Sequence, residues 1–308
     1  MKTLIALAPR IQVALLLALT VRPAPAQQLG YKLLGSAGID AGVQPPPGLT
    51  VIDQTLHYGA GELRDRQGNI VPIDGLSLSA TGTALGASYT TKPRRLPYLS
   101  FAFGVPVASI HVNSSEPAAS LNGYGFGDVF LQPIKVGWRE GRYDVVAAYV
   151  AYAPTGRFEP KGGAGPGRGY WTHQISVGGA LYADSSRAHR ITALASYDQN
   201  TRKQGIDIRR GNMFQVQGGA GANVRKVITV GVAGYALWQV TADRGTDIPA
   251  TLRDERSRVF GLGPEVSVTI PRWQTRATFR VERDLGARSR PTGQVIAFGL
   301  YWRASGAR

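Results

Sequence analysis

The sequence runs to 308 residues with 35 Lys+Arg against 20 Asp+Glu, a formal charge of +15, and contains no cysteine and four histidines. Disulfide scaffolds, thiolate metal sites and cysteine nucleophiles are excluded together, and His57, His111, His173 and His189 are too dispersed to suggest a histidine metal centre. The 39 glycines, against a usual share of about 7%, argue against a helical protein because glycine weakens helix interiors.

Lys2 and Arg10 precede an apolar run, Ile11 to Val21, which leads into Ala24-Pro25-Ala26. These are the positive, apolar and A-x-A parts of a secretory signal, so residues 1–26 are expected to be removed. Without Lys2, Arg10 and Arg22 the charge falls from +15 to +12. Residues 27–48, rich in Gly and Pro, are expected to form a periplasmic arm or a partial plug. Beyond them the pattern predicts about twelve strands. The first six are Leu49–Tyr58, Gly75–Tyr89, Leu96–Val112, Gly125–Trp138, Arg142–Tyr152 and Trp171–Ala183. The others are His189–Asn200, Met213–Val224, Val227–Thr241, Arg258–Ile270, Trp273–Leu285 and Gly293–Trp302.

Most of these runs are longer than the ~5–6 residues of a soluble strand and match the ~9–11 of a tilted membrane strand. No later segment approaches the ~20 apolar residues of a spanning helix, and only helices and closed barrels satisfy the backbone in lipid. Long breaks (Gly59–Asp74, Asn113–Tyr124, Ala153–Tyr170, Thr201–Asn212, Ala242–Ser257) alternate with short ones such as Arg225–Lys226 and Pro271–Arg272. That alternation is the pattern of long external loops and tight periplasmic turns. The predicted fold is therefore all-β: a transmembrane antiparallel up-and-down β-barrel of about twelve strands over residues 49–302, with a short tail at 303–308. Both ends of the barrel chain fall on the short-turn side.

Two-residue periodicity assigns the faces. In the strand from Trp273, one face carries Trp273, Thr275, Ala277, Phe279 and Val281, and the other carries Gln274, Arg276, Thr278, Arg280, Glu282 and Asp284. An Arg at the bilayer midplane costs about 2–4 kcal/mol, so the charged face is expected to line a lumen. The candidate lumen residues are Arg276, Arg280, Glu282 and Gln274, with Glu265 on the preceding strand and Gln215 and Gln217 on the strand from Met213. As a lumen feature the Arg276, Arg280, Glu282 and Glu265 ladder would set a local field and bias passage toward anions or aromatic carboxylates; it could equally be a self-neutralised brace. The five tryptophans, Trp138, Trp171, Trp238, Trp273 and Trp302, fall near strand ends, as interface girdles require.

Several segments, in chain order, resemble one family. They are Gly42-Val43-Gln44-Pro45-Pro46-Pro47-Gly48, Gly125-Phe126-Gly127-Asp128 leading through Pro133 to Gly137-Trp138, and Tyr152-Ala153-Pro154-Thr155-Gly156-Arg157-Phe158. Gly211-Asn212, Gly234-Tyr235 with Gln239, Gly263-Pro264-Glu265 and Arg290-Pro291-Thr292-Gly293 complete the set. On these the chain is similar to the MetA-pathway phenol-degradation family of outer-membrane, transporter-like β-barrel proteins. The resemblance implies an outer-membrane barrel tied to uptake of small aromatic or hydrophobic compounds, and assigns no substrate-binding residue.

Other chemistries find little support. Gly123-Tyr124-Gly125-Phe126-Gly127-Asp128 is followed by a strand, not by the helix a dinucleotide fingerprint needs. The run from Lys161 to Gly169 lacks a closing Gly-Lys-Ser/Thr and is read as a mobile external loop. Gly263-Pro264 within a strand suggests a bulge or a bend. A Ser–His pair on one strand face needs even spacing, whereas His173 and Ser176, like His111 and Ser114, are three apart. The chain is thus expected not to be an enzyme, with an outer-membrane hydrolase as the weakest alternative and a structural or surface-interaction barrel as the stronger one. The basic residues Arg202, Lys203, Arg209, Arg210, Arg253, Arg256 and Arg258 are read as external charges facing lipopolysaccharide, not nucleic acid. Asp243, Asp247, Asp254 and Glu255 are read as loop charges and not as a metal site. The expected partners are outer-membrane lipid and a small-molecule solute, with no cofactor and no metal; the oligomeric state is left open.

Overall fold

The computed structural model describes residues 36–304 except 93–96, 117, 161–162, 226 and 250–251. The expected leader, residues 27–35 of the arm and residues 305–308 of the tail lie outside the described residues. Fourteen strands follow in chain order: β1 (Gly48–Arg64), β2 (Ile70–Val71), β3 (Ser77–Thr90), β4 (Tyr98–Ser114), β5 (Ala119–Phe126), β6 (Val129–Glu140) and β7 (Tyr143–Ala153). Then come β8 (Thr172–Tyr182), β9 (His189–Asn200), β10 (Met213–Val224), β11 (Ile228–Gln239), β12 (Arg258–Ile270), β13 (Thr275–Arg288) and β14 (Arg290–Arg303).

Twelve of these are staves. Each pairs antiparallel with its neighbours in chain order, and β14 returns to pair with β1 from Thr50↔Arg303 to Arg64↔Arg290. The result is a closed twelve-stranded up-and-down barrel, and closure leaves no stave with an unpaired edge. Every predicted strand has its stave, and β9, β10 and β12 match their predicted bounds. β2 extends β1 locally and β5 pairs only with β4, where it fills a break expected to be loop.

The two faces are chemically opposite. Leu85, Phe103, Ile175, Val177, Ile191, Leu262 and Phe279 point outward and are exposed, a contiguous apolar band of the kind that a lipid surface covers. Trp138, Trp273 and Trp302 sit on that face near the short-turn end; Trp171 and Trp238 sit near the long-loop end. Trp238 packs between Phe214 and Phe260.

Proline shapes the wall. The β6–β7 register slips between Leu131 and Ile134, around Pro133, which has no N–H to give the ladder. The bend expected at Gly263-Pro264 causes no slip; the β12 irregularity lies instead between Arg258 and Phe260. At the long-loop end the segment after β7 turns inward. Gly163 to Tyr170 is largely buried, and Asp128 holds it by accepting the Gly156 and Arg168 backbone N–H groups at 2.9 Å each. This corrects the expectation of a mobile external loop for the described part of that run: Ala164 packs into the apolar interior.

Candidate functional site

The interior is lined unevenly. Toward the long-loop end one side of the wall is apolar, where Leu56, Ala60, Leu78, Ile110, Leu237 and Val259 meet in one buried cluster, and the other side is polar, where Thr172, Gln174, Asp198, Asn200 and Gln215 of β8 to β10 are buried. Toward the short-turn end it is polar and charged. Residues 36–47 lie in that short-turn half and travel round the inside of the barrel before β1 begins.

Hydrogen bonds trace the route. The Ser36 carbonyl accepts from Gln54 on β1 at 2.7 Å, and the Ala37 N–H donates to Gln217 on β10 at 3.1 Å. The Ile39 N–H donates to Glu265 Oε2 on β12 at 3.0 Å, and the Ile39 carbonyl accepts from Thr192 on β9 at 3.1 Å. Asp40 then bridges Arg190 on β9, at 2.8 Å, and Arg276 on β13. Finally the Gln44 N–H donates to Asp144 on β7 at 3.1 Å, while its carbonyl accepts from Arg139 on β6. The segment is thus a belt across the lumen, tied to staves on every side.

Glycine makes the belt possible. Gly38 has φ of 54° and sits where a Cβ would collide with Arg280 and Glu265, so both its backbone and its lack of side chain are required. Across the lumen, the Ile39 side chain is fully buried against the bare backbone of Gly219 and Gly221 on β10.

The charged ladder gathers beside the belt. Arg280 donates to Glu265 at 2.8 Å and to Glu282 at 3.0 Å, all three being buried. Gln215 donates to Asp198 at 2.9 Å, and Gln217 donates to Gln215 at 3.4 Å. Gln174 adds a bond to Asp198 at 2.6 Å. Five of the predicted lumen residues, Arg280, Glu282, Glu265, Gln215 and Gln217, therefore lie buried inside, and Arg276 reaches the belt through Asp40. Gln274 stands apart: it is exposed in the turn before β13, with φ of 50°. Sequence reasoning did not single out Asp40, Arg190 or Asp144, whose partners are remote in sequence. The repeated Gly-Gly of β8 and β10 was the one available signal of a close approach.

Three further placements bear on chemistry. His173 faces outward, hydrogen-bonded to Tyr149 at 2.7 Å, while Ser176 faces inward to Ser196 at 2.9 Å, so the pair does not meet. Asp243 pairs with Arg210 and accepts the Gly211 N–H at 2.7 Å, and no cluster of metal-ligating residues occurs among the described residues. Lys203, expected on the outer surface, is buried over Phe158 at 5.3 Å. It lies in the loop after β9, where burial and the nearby Arg210 and Arg168 charges push its ammonium down to about 7 against the pull of Asp243.

An apolar outer band, rim tryptophans, a polar interior and full closure define a β-barrel of the membrane-spanning class. The chain belongs to the family described as "Putative MetA-pathway of phenol degradation", whose model matches residues 60–300. Among solved structures it is similar to an outer membrane channel from Pseudomonas putida F1, with a TM-score of 0.74 and 13% identity over 85% of this chain and 97% of that one. It is also similar to the NanC porin, with a TM-score of 0.46 and 10% identity over 82% and 100% of the two chains. The transport unit of the autotransporter AIDA-I from Escherichia coli gives 0.45 and 11% over 85% and 92%. At such identities the likeness is one of fold. No curated protein matches the chain in sequence.

Proposed function

We propose that this protein is an outer-membrane channel for small hydrophobic or aromatic solutes, exported by its leader and oriented with its short turns in the periplasm. The observation that carries the reading is the belt. A barrel that served only as a scaffold could be filled by wall side chains, but here residues 36–47 occupy the lumen as a separate segment. Hydrogen bonds, ion pairs and one buried isoleucine hold it, and no strand ladder does. Such a segment can leave the lumen without breaking the barrel. Passage is then diffusion past wall side chains, over an apolar patch on one side of the outer half and then a charged inner half, with the belt setting the width.

The fit to uncharged apolar solutes comes from the apolar side of the outer half, and the fit to a family named for phenol degradation agrees with it. The P. putida F1 relative is itself a channel, which supports the reading. The test is uptake into proteoliposomes holding the refolded barrel, with phenol and a sugar of similar size as probes. Faster phenol entry than in protein-free liposomes, exceeding the gain for the sugar, is the expected result. No gain for either solute, in a barrel whose gel mobility still shifts on heating, would favour the scaffold reading.

A further inference from the structure

The strand that opens with Arg290-Pro291-Thr292-Gly293 brings a cation against the apolar side of the outer half. Arg290, at the long-loop end of β14, is completely buried and pairs with no carboxylate among the described residues; the Tyr58 hydroxyl is the polar group beside its guanidinium. The carboxylate that meets the same tyrosines, Asp284, is already committed. It accepts from Tyr58 at 2.8 Å, from Tyr235 at 2.5 Å and from the Gly293 N–H at 2.9 Å. Arg290 lies close enough for its charge to act on both tyrosine hydroxyls. Tyr58 and Tyr235 belong to the buried apolar cluster, together with Leu237, Val259, Ala287 and Val295.

A guanidinium cannot shed its proton, and burying it without a counter-charge is costly. Buried polar groups without partners are rare enough that each one needs an explanation. The other buried arginine of the ladder, Arg280, has two carboxylates beside it. Arg290 has a planar donor fork with no carboxylate in it, beside two tyrosines of the apolar cluster.

We propose that Arg290 is the anchor of a solute site in the outer half of the lumen, and that its ligand is an apolar monocarboxylate, an aromatic or short aliphatic acid. A carboxylate fills the fork with two parallel charge-assisted hydrogen bonds, while the ring or chain lies on the aliphatic wall. Phenol does not satisfy the group: with a pKa near 10, as for tyrosine, it is neutral at pH 7. The inference rests on the channel reading for its biological sense and goes beyond it in naming a residue and a substrate class.

The experiment measures equilibrium binding of benzoate and of benzyl alcohol to the folded full-length barrel in detergent at pH 7.5, by intrinsic tryptophan fluorescence or calorimetry. Wild type should bind benzoate at least tenfold more tightly than the uncharged alcohol. Arg290→Met should lose that preference, weakening benzoate tenfold or more while leaving benzyl alcohol unchanged. Arg288→Met, which removes an exposed arginine at the same rim, should change neither. Heat-shifted gel mobility reports folding, and Arg290→Gln replaces the methionine variant if that one does not fold. Benzoate affinity unchanged in the Arg290 variants, or equal affinity for acid and alcohol in wild type, would overturn the assignment. Phenol flux in liposomes separates the two claims. Flux without Arg290-dependent binding defeats this site alone, and Arg290-dependent binding without flux defeats the channel reading alone.

Discussion

Ile39 offers the sharpest way to disturb the belt without touching the wall. Its side chain is fully buried against Gly219 and Gly221, and truncating a buried isoleucine to alanine costs about 2–5 kcal/mol. The wall ladders on either side of β10 are intact without it, so the cost falls on docking of residues 36–47 and not on the barrel. At ~1.4 kcal/mol per factor of ten, even the lower figure shifts the ratio of docked to released belt by roughly 30-fold. The natural absence of cysteine makes the readout clean. Ala37→Cys should react slowly with a membrane-impermeant maleimide when Ile39 is present, and at least tenfold faster in the Ile39→Ala background. Single-channel records of Ile39→Ala should show longer dwell in a wider state. A folded Ile39→Ala barrel with unchanged labelling and unchanged dwell times would refute the idea that burial of this side chain holds the belt.

Two other predictions concern charge. Arg280→Met leaves Glu265 and Glu282 buried and facing each other, which should cost about 3–5 kcal/mol and lower the temperature of the gel-mobility shift. Adding Glu265→Gln and Glu282→Gln should recover most of the loss, and a triple variant no more stable than Arg280→Met would show that the network does not act as a neutralised unit. In the loop after β9, the Lys203 ammonium is held down from 10.5 to about 7 by burial, then by Arg210 and Arg168, with Asp243 opposing. The folded loop therefore binds fewer protons than the unfolded chain between those two values. Its packing gains stability as pH rises from 7 toward 10.5 and is weakest below 7. Hydrogen exchange across residues 201–212, corrected for intrinsic rates, should be better protected at pH 9 than at pH 6. Lys203→Met should flatten that dependence, and equal protection in wild type at both pH values would contradict it.

The staves were legible because lipid and lumen impose opposite demands on alternate residues. In β13 the outward Phe279 and inward Arg280 announce their faces without tertiary information, and the bounds of β9, β10 and β12 follow from the breaks around them. β5 was missed because Ala119–Phe126 is rich in Gly, Ser and Asn. It pairs on one side only, beyond the staves, where nothing selects for apolar residues. The last turn of β1, Gly59 to Arg64, read as loop for the same reason: Glu62 and Arg64 are exposed enough to pair at the rim, so charge costs nothing there. β14 starts at Arg290, earlier than expected, because Pro291 and Gly293 read as a break; the Pro291 carbonyl in fact accepts from Tyr58 at 3.1 Å.

The site was legible in part. A period of two is enough to turn Arg280, Glu282, Glu265, Gln215 and Gln217 inward, but it carries no information on what they meet. Ile39 and Glu265 are 226 positions apart, and Gln44 and Asp144 are 100 apart; no local pattern encodes such pairs. Gly and Pro in the arm marked it as irregular, and only the structure shows that its carbonyls and N–H groups find partners inside the barrel. Arg290 illustrates the converse. Its position in a recognisable Arg-Pro-Thr-Gly motif was plain, but burial without a carboxylate partner is visible only once the barrel closes.

The central claim is that the lumen is a solute path narrowed by residues 36–47. The most direct measurement is conductance across a planar bilayer for the mature barrel beside a variant lacking residues 36–44, both verified as folded by their heat-shifted mobility. The account predicts a steady conductance in the deletion variant several-fold above that of the intact protein, which should open only in brief steps to the same level. Equal conductance in the two, or a folded deletion variant that carries no current, would contradict it.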